Sequence, residues 1–212
     1  MEIAFYFIAF TVLSLFVVYY SFTCRVTRNF LECLVNELSN EFSLEKVERL
    51  LEVYGNIAEC VNAMDDEFSL PIFLIIFLCM TGIFWRGYRF AFYITANNEY
   101  LLAIIVSTLM YSFLLIMVII SASVTNELAS KAKYFMSNLP YRIPQQSQRI
   151  KYILRKNCTQ DYSLTLWKIY VIDRSMLFTS FGTLLTYGML IGALGNSFDQ
   201  KNVGMKKVLQ VG

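Results

Sequence analysis

Four apolar runs, each long enough to cross a lipid bilayer, restrict the fold of this chain more than any other feature. A helix needs about 20 consecutive apolar residues to traverse the hydrocarbon core. The runs lie in segments 1–22, 68–86, 101–124 and 175–198. In lipid every backbone polar group must be bonded internally, so runs of this length are helices. The expected fold class is an all-α membrane protein: four transmembrane helices with helical extensions beyond the membrane. Composition agrees, with 57% hydrophobic and 16% charged residues against about 25% charged in an average soluble domain. The first run has no basic residue before it and is followed by Arg25 and Arg28, the pattern of a true span and not of a cleaved leader.

Orientation follows from the basic residues. Segments 23–67 and 123–174 share one side and carry four and nine Lys or Arg. Segment 87–100 (with Arg86) and the tail 199–212 carry two and three. The excess places both long loops in the cytoplasm and both chain ends outside, in a plasma-membrane, multi-pass topology. An outside start directly before a span suggests the C-terminal part of a longer protein. The Asn157-Cys158-Thr159 sequon then falls in the cytoplasm, where it stays unmodified.

Several chemistries are disfavoured. There is no His, so histidine triads and imidazole metal sites are excluded. The five cysteines show no CxxC spacing and are read as free thiols, with no metal or cofactor implied. A net charge of +2 gives no reason to expect nucleic acid. Asp65, Asp66 and Glu67 are read as a solvated loop before a span, and no enzymatic role is expected.

The long loops carry structure. In 23–67, Val47, Leu50, Tyr54, Ile57, Val61 and Met64 repeat at helical spacing, with Glu45, Glu48, Glu52 and Glu59 outside the stripe. Ser43 is the expected N-cap. The stripe packs either on its own chain or on partner subunits. Segment 23–67 has net charge −6 and 123–174 has +6, so the two can dock on each other; the basic one can instead lie on anionic headgroups. Pro140 and Pro144 end the third helix's extension. Over 161–175, Leu164, Trp167, Tyr170 and Val171 fall on one helical face, which predicts a short amphipathic helix before the last span. Asp173 and Arg174 separate the two.

The last span divides into faces. Thr179, Thr183, Thr186, Leu190, Ala193 and Ser197 form one stripe, hydroxylated at both ends. Gly188, Gly192 and Gly195 form another, the kind that lets a neighbouring backbone approach closely. The stripes either pack on other helices or, in the hydroxyl case, face water. Copies from several subunits then enclose a pore with Leu190 as a dewetting constriction.

The stretch 163–194, SLTLWKIYVIDRSMLFTSFGTLLTYGMLIGAL, resembles the C-terminal signature of the arthropod gustatory receptors, relatives of the insect odorant receptors. Thr186-Tyr187 match its Thr-Tyr, and residues 188–192 occupy its five-residue hydrophobic run. Ala193 and Leu194 stand where the family has Gln and Phe. A weaker likeness lies in VNAMDDEFSLPIFLIIF, 61–77. The resemblance implies a chemosensory, ligand-gated cation channel subunit in a homo- or hetero-tetramer, built on seven spans of which these are the last four. It implies that Thr179, Thr183, Thr186, Leu190, Ala193 and Ser197 line the pore. Tyr187, Gly188, Gly192 and Gly195 would pack the helix, and Leu164, Trp167, Tyr170, Asp173 and Arg174 would belong to a cytoplasmic anchor. A small-molecule ligand in the outer half would meet aromatics such as Phe5, Tyr6, Tyr100 and Tyr111. The alternative is a non-conducting membrane scaffold or a divergent relative of the receptors.

Overall fold

A computed structural model of the chain describes residues 2–39, 44–92, 98–138, 162–190 and 192. Its elements are α1 (Glu2–Ser39), α2 (Leu44–Phe92), α3 (Asn98–Asn138), β1 (Thr165–Leu166), β2 (Tyr170–Val171) and a helix α4 over 175–190. The architecture is helical, as its composition demands, with one very small hairpin. The expected N-cap Ser43, Pro140, Pro144 and the Asn157 sequon lie outside the described residues.

The long helices contain 38, 49 and 41 residues. At 1.5 Å per residue they measure about 57, 74 and 62 Å, against about 30 Å of hydrocarbon. All three are long and apolar enough to cross a membrane, and each also continues well past it as uninterrupted helix. Their apolar windows are mostly uncovered by the chain itself: Phe7, Val12, Leu15, Leu74, Phe77, Leu102 and Leu109 are exposed. Side chains of this kind are stable on the surface only against lipid or another apolar partner. Pro71 sits inside α2; lacking an N–H, it leaves the Glu67 carbonyl without its usual donor one turn back.

Two compact units emerge. The first comprises α1, α2 as far as Ile75, α3 from Met117, and the hairpin through Arg174. Its core is a three-helix cluster: Leu31, Leu34, Val35 and Leu38 from α1, Leu50, Leu51 and Tyr54 from α2, and Ala129, Ala132 and Met136 from α3, with Tyr162 against it. The predicted stripe is this core's α2 side. Leu50, Tyr54, Val61 and Met64 are buried, whereas Glu48, Glu52 and Glu59 are exposed. Its partners are therefore the chain's own α1 and α3. Nearer the apolar runs, the Phe68 ring meets those of Phe16, Tyr19 and Tyr20 edge-on at 5.6–5.9 Å. The second unit contains residues 76–116 and the helix from Ser175.

Two local expectations are corrected. The predicted amphipathic helix over 161–175 is instead an antiparallel hairpin pairing Thr165 with Val171 and Leu166 with Tyr170. The burial is not that of one helical face: Leu164 and Leu166, two residues apart, and Ile172 are buried, while Trp167, Tyr170 and Val171 are exposed. Thr, Ile, Tyr, Val and Trp also suit a pleated strand better than a helix. The second correction concerns Asp65, Asp66 and Glu67, which lie within α2 and not in a solvated loop; two of them hold the hairpin.

Candidate functional site

The hairpin is too short to be stable alone, since even full two-stranded hairpins are marginal in water. Its stability comes from side chains on α2 and α3. Asn126 of α3 is only 7% exposed and its carboxamide closes the hairpin's open end. The Asn126 oxygen accepts the Leu164 N–H at 2.7 Å, and its NH₂ donates to the Leu164 carbonyl at 2.9 Å and the Ile172 carbonyl at 2.8 Å. Leu164 and Ile172 are also bonded directly, N–H of Ile172 to carbonyl of Leu164 at 3.1 Å. One amide thus satisfies backbone groups of both strands.

Asp65 of α2 holds the first strand. It accepts the Thr165 N–H, and the Thr165 hydroxyl lies 2.9 Å from both of its oxygens. The turn that follows carries two left-handed residues, Trp167 (φ 49°) and Lys168 (φ 57°), closed by the Ile169 N–H donating to the Leu166 carbonyl at 2.9 Å. A bulky residue with positive φ is uncommon and has to be held there by its surroundings. For Trp167 the restraints are visible: its N–H donates to the Ser69 carbonyl at 3.3 Å, and its ring lies on Phe73 with centroids 5.6 Å apart. Lys168 pairs with Asp66, and Arg174 with Glu127. The Asp66–Lys168 pair joins the acidic and basic segments whose opposite charge suggested docking. It also raises the Lys168 ammonium above the ordinary lysine range, chiefly through its hydrogen bond and then through charge.

Of the anchor residues named from sequence, Leu164 is buried, Arg174 is ion-paired, and Trp167 docks by its ring and N–H; Tyr170 and Asp173 are exposed. Sequence reasoning did not find Asn126, Asp65, Asp66, Ser69 or Glu127. A signal was present for Asn126, the one amide in SASVTNELA, a run that is apolar or small apart from Asn126 and Glu127. None marked Ser69, which acts through its backbone.

Helix α4 starts three residues after Ile172. Thr179, Thr183 and Thr186 are exposed along it, and each hydroxyl donates to its own helix: to the carbonyls of Ser175, Thr179 and Gly182 at 3.1, 2.7 and 2.8 Å. Leu190 and Tyr187 are more than half exposed, and Phe178 is 81% exposed. A Cβ added at Gly188 or Gly192 would meet nothing within 4 Å, so the glycine face meets no close neighbour among the described residues. Ala193, Gly195 and Ser197 lie outside the described residues, as do the side chains of Phe5 and Tyr6. Tyr100 accepts a hydrogen bond from Arg89 at 3.3 Å, and Tyr111 lies under the Arg86 guanidinium, 4.3 Å from ring centroid to carbon.

Three long helices able to cross a membrane, continued into an extramembrane bundle, define a multi-pass helical membrane protein. Residues 2–191 match the family described as 7tm Chemosensory receptor, and the chain belongs to that family. The likeness to gustatory receptors drawn from 163–194 therefore holds at family level. No curated protein matches the chain.

Proposed function

We propose that the chain is a subunit of a ligand-gated, cation-permeable chemosensory channel of gustatory type, with α4 lining the pore of a tetramer. The observation that carries this reading is the disposition of the threonine hydroxyls on α4. Each directs its proton to a carbonyl one turn back, so the exposed oxygen offers only lone pairs outward. Repeated around a symmetric assembly, such a wall accepts hydrogen bonds from water and favours cations over anions, while Leu190 supplies the dry constriction. The uncovered glycine face at Gly188 and Gly192 supports close contact with another helix. Membership in the chemosensory family supports the receptor role, and the basic-residue count supports a cytoplasmic bundle at the plasma membrane.

The test is whole-cell recording from heterologous cells expressing the chain, or the longer product if the transcript extends upstream, against a panel of small tastants. A ligand-evoked cation current whose gating shifts in Leu190→Ser, and whose cation preference weakens in Thr186→Val, supports the proposal. Surface-delivered protein silent to every compound, in parent and Leu190→Ser alike, supports the non-conducting scaffold instead.

A further inference from the structure

The two helices that hold the hairpin also fix its height against the bilayer. Its base is bonded to Asn126, just past the apolar run 101–124, and to Asp65, just before the run 68–86. From there the first strand rises along α2. Thr165 meets Asp65, the Trp167 N–H reaches the Ser69 carbonyl, and the Trp167 ring lies on Phe73. Strand and ring together follow α2 from Asp65 to Phe73, about 12 Å of helix axis. The turn is therefore the membrane-proximal end of the hairpin, and it reaches the level of the apolar run.

What the turn presents there is apolar. Ile169 is 77% exposed, and about half of Trp167, Tyr170 and Val171 is uncovered by the chain. At the same height on α2, Leu70 and Leu74 are exposed as well, on a helix long and apolar enough to span a membrane. A bilayer that covers Leu70 and Leu74 also reaches the turn, so height selects lipid as the occupant. The polar groups lie lower: Lys168 is paired with Asp66, which precedes the apolar run, and both side chains are largely exposed. Trp and Tyr above a charged pair is the pattern of a membrane–water interface.

We propose that the turn is a membrane anchor. Ile169, with Trp167, Tyr170 and Val171, inserts into the interfacial layer of the leaflet on the bundle side, and the Lys168–Asp66 pair stays among the headgroups. The anchor depends on the spans and not on the proposed pore, so it stands whether or not the protein conducts.

The experiment uses the full chain in phosphatidylcholine nanodiscs. Trp167 is one of two tryptophans, so Trp85→Phe leaves it as the only one. A nitroxide carried near the lipid headgroup should quench its fluorescence several-fold more than a nitroxide at the acyl-chain end, and iodide in the buffer should quench it little. A second readout leaves both tryptophans in place. Ile169→Cys and Tyr134→Cys are made separately, with Cys33, Cys60 and Cys158 replaced by serine. Tyr134 is 65% exposed and lies about 15 Å beyond the run 101–124. Ile169 is the less covered of the two by the chain itself, yet its thiol variant should react with a charged maleimide about tenfold more slowly. That factor corresponds to about one pKa unit of disfavoured thiolate at the interface. Equal rates at the two positions, or iodide quenching stronger than that of either lipid nitroxide, place the turn in water and overturn the proposal. Slow reaction of Ile169→Cys without quenching from the lipid nitroxides means that another protein covers the turn, and overturns it equally.

Discussion

A carboxamide has one acceptor oxygen and two N–H donors, and Asn126 commits all three kinds of contact to residues 164 and 172. Replacing it by leucine would strand one N–H and two carbonyls in a buried place, where each unsatisfied group costs about 1–3 kcal/mol. Some relief by the direct Ile172–Leu164 bond is expected. Asn126→Leu should therefore lower stability by about 3 kcal/mol, read as a drop in the thermal midpoint of the detergent-solubilised protein. Asn126→Asp keeps the acceptor but sets carboxylate oxygen against two carbonyls, and should be at least as damaging. If both variants unfold with the parent, the amide is not holding the hairpin. Lys168 gives the opposite kind of prediction. Its raised pKa means that the contribution of the Asp66 pair is present below the ordinary lysine value and lost as pH rises through the raised one. The pair is exposed and screened. The pair's contribution should thus be constant with pH through the neutral range, where Lys168→Gln removes whatever small stability it supplies, and the stability-against-pH curves of parent and variant should converge only at strongly alkaline pH.

Among the elements, the hairpin is the one the sequence concealed. Leu164, Trp167, Tyr170 and Val171 happen to fall three or four apart, which mimics a helical face. The two-residue spacing of Leu164 and Leu166, both buried, was equally present, but strands of two residues are shorter than any window in which periodicity discriminates. Partners 38 to 100 residues away decided between them. The spans, by contrast, were legible because apolar length alone specifies them, and the α2 stripe was legible because it repeats over five turns. What sequence left open there was the partner, and α1 and α3 of the same chain supply it. Docking of the turn can be measured as a coupling. Trp167→Ala removes the ring contact with Phe73 while leaving the left-handed backbone, and should cost about 1 kcal/mol. In a double-mutant cycle, Phe73→Ala should add little once Trp167 is gone; fully additive losses would mean that the two rings do not interact.

At the scale of the whole molecule, four cysteines report the arrangement. Cys33 and Cys60 are exposed, whereas Cys24 and Cys79 are buried. In a Cys158→Ser background, a hydrophilic maleimide should modify the first two rapidly in detergent and the second two only on unfolding. With intact cells the same reagent also reads orientation. The proposed cytoplasmic bundle requires Cys33 and Cys60 to be protected until the membrane is permeabilised, and labelling from outside would invert the topology. The basic-residue count that motivates the orientation is a whole-chain property, so no single residue made it readable. The candidate pore residues were readable one by one as a stripe. The direction of their hydroxyl protons was not, because it depends on which carbonyl each rotamer reaches.

The dependence of the hairpin on distant residues also dictates an order of assembly. Its strands find their acceptors and donors on Asp65 and Asn126, 100 and 38 residues earlier. Closing such long loops is slow and is repaid only when the bundle already exists. During synthesis, then, α1, α2 and α3 come together first, with Asn126 waiting for its partners, and the hairpin seats last, just as α4 follows it. A variant that weakens Asn126 should thus be caught by the cell at the final step of biogenesis, retained with its first three spans already inserted.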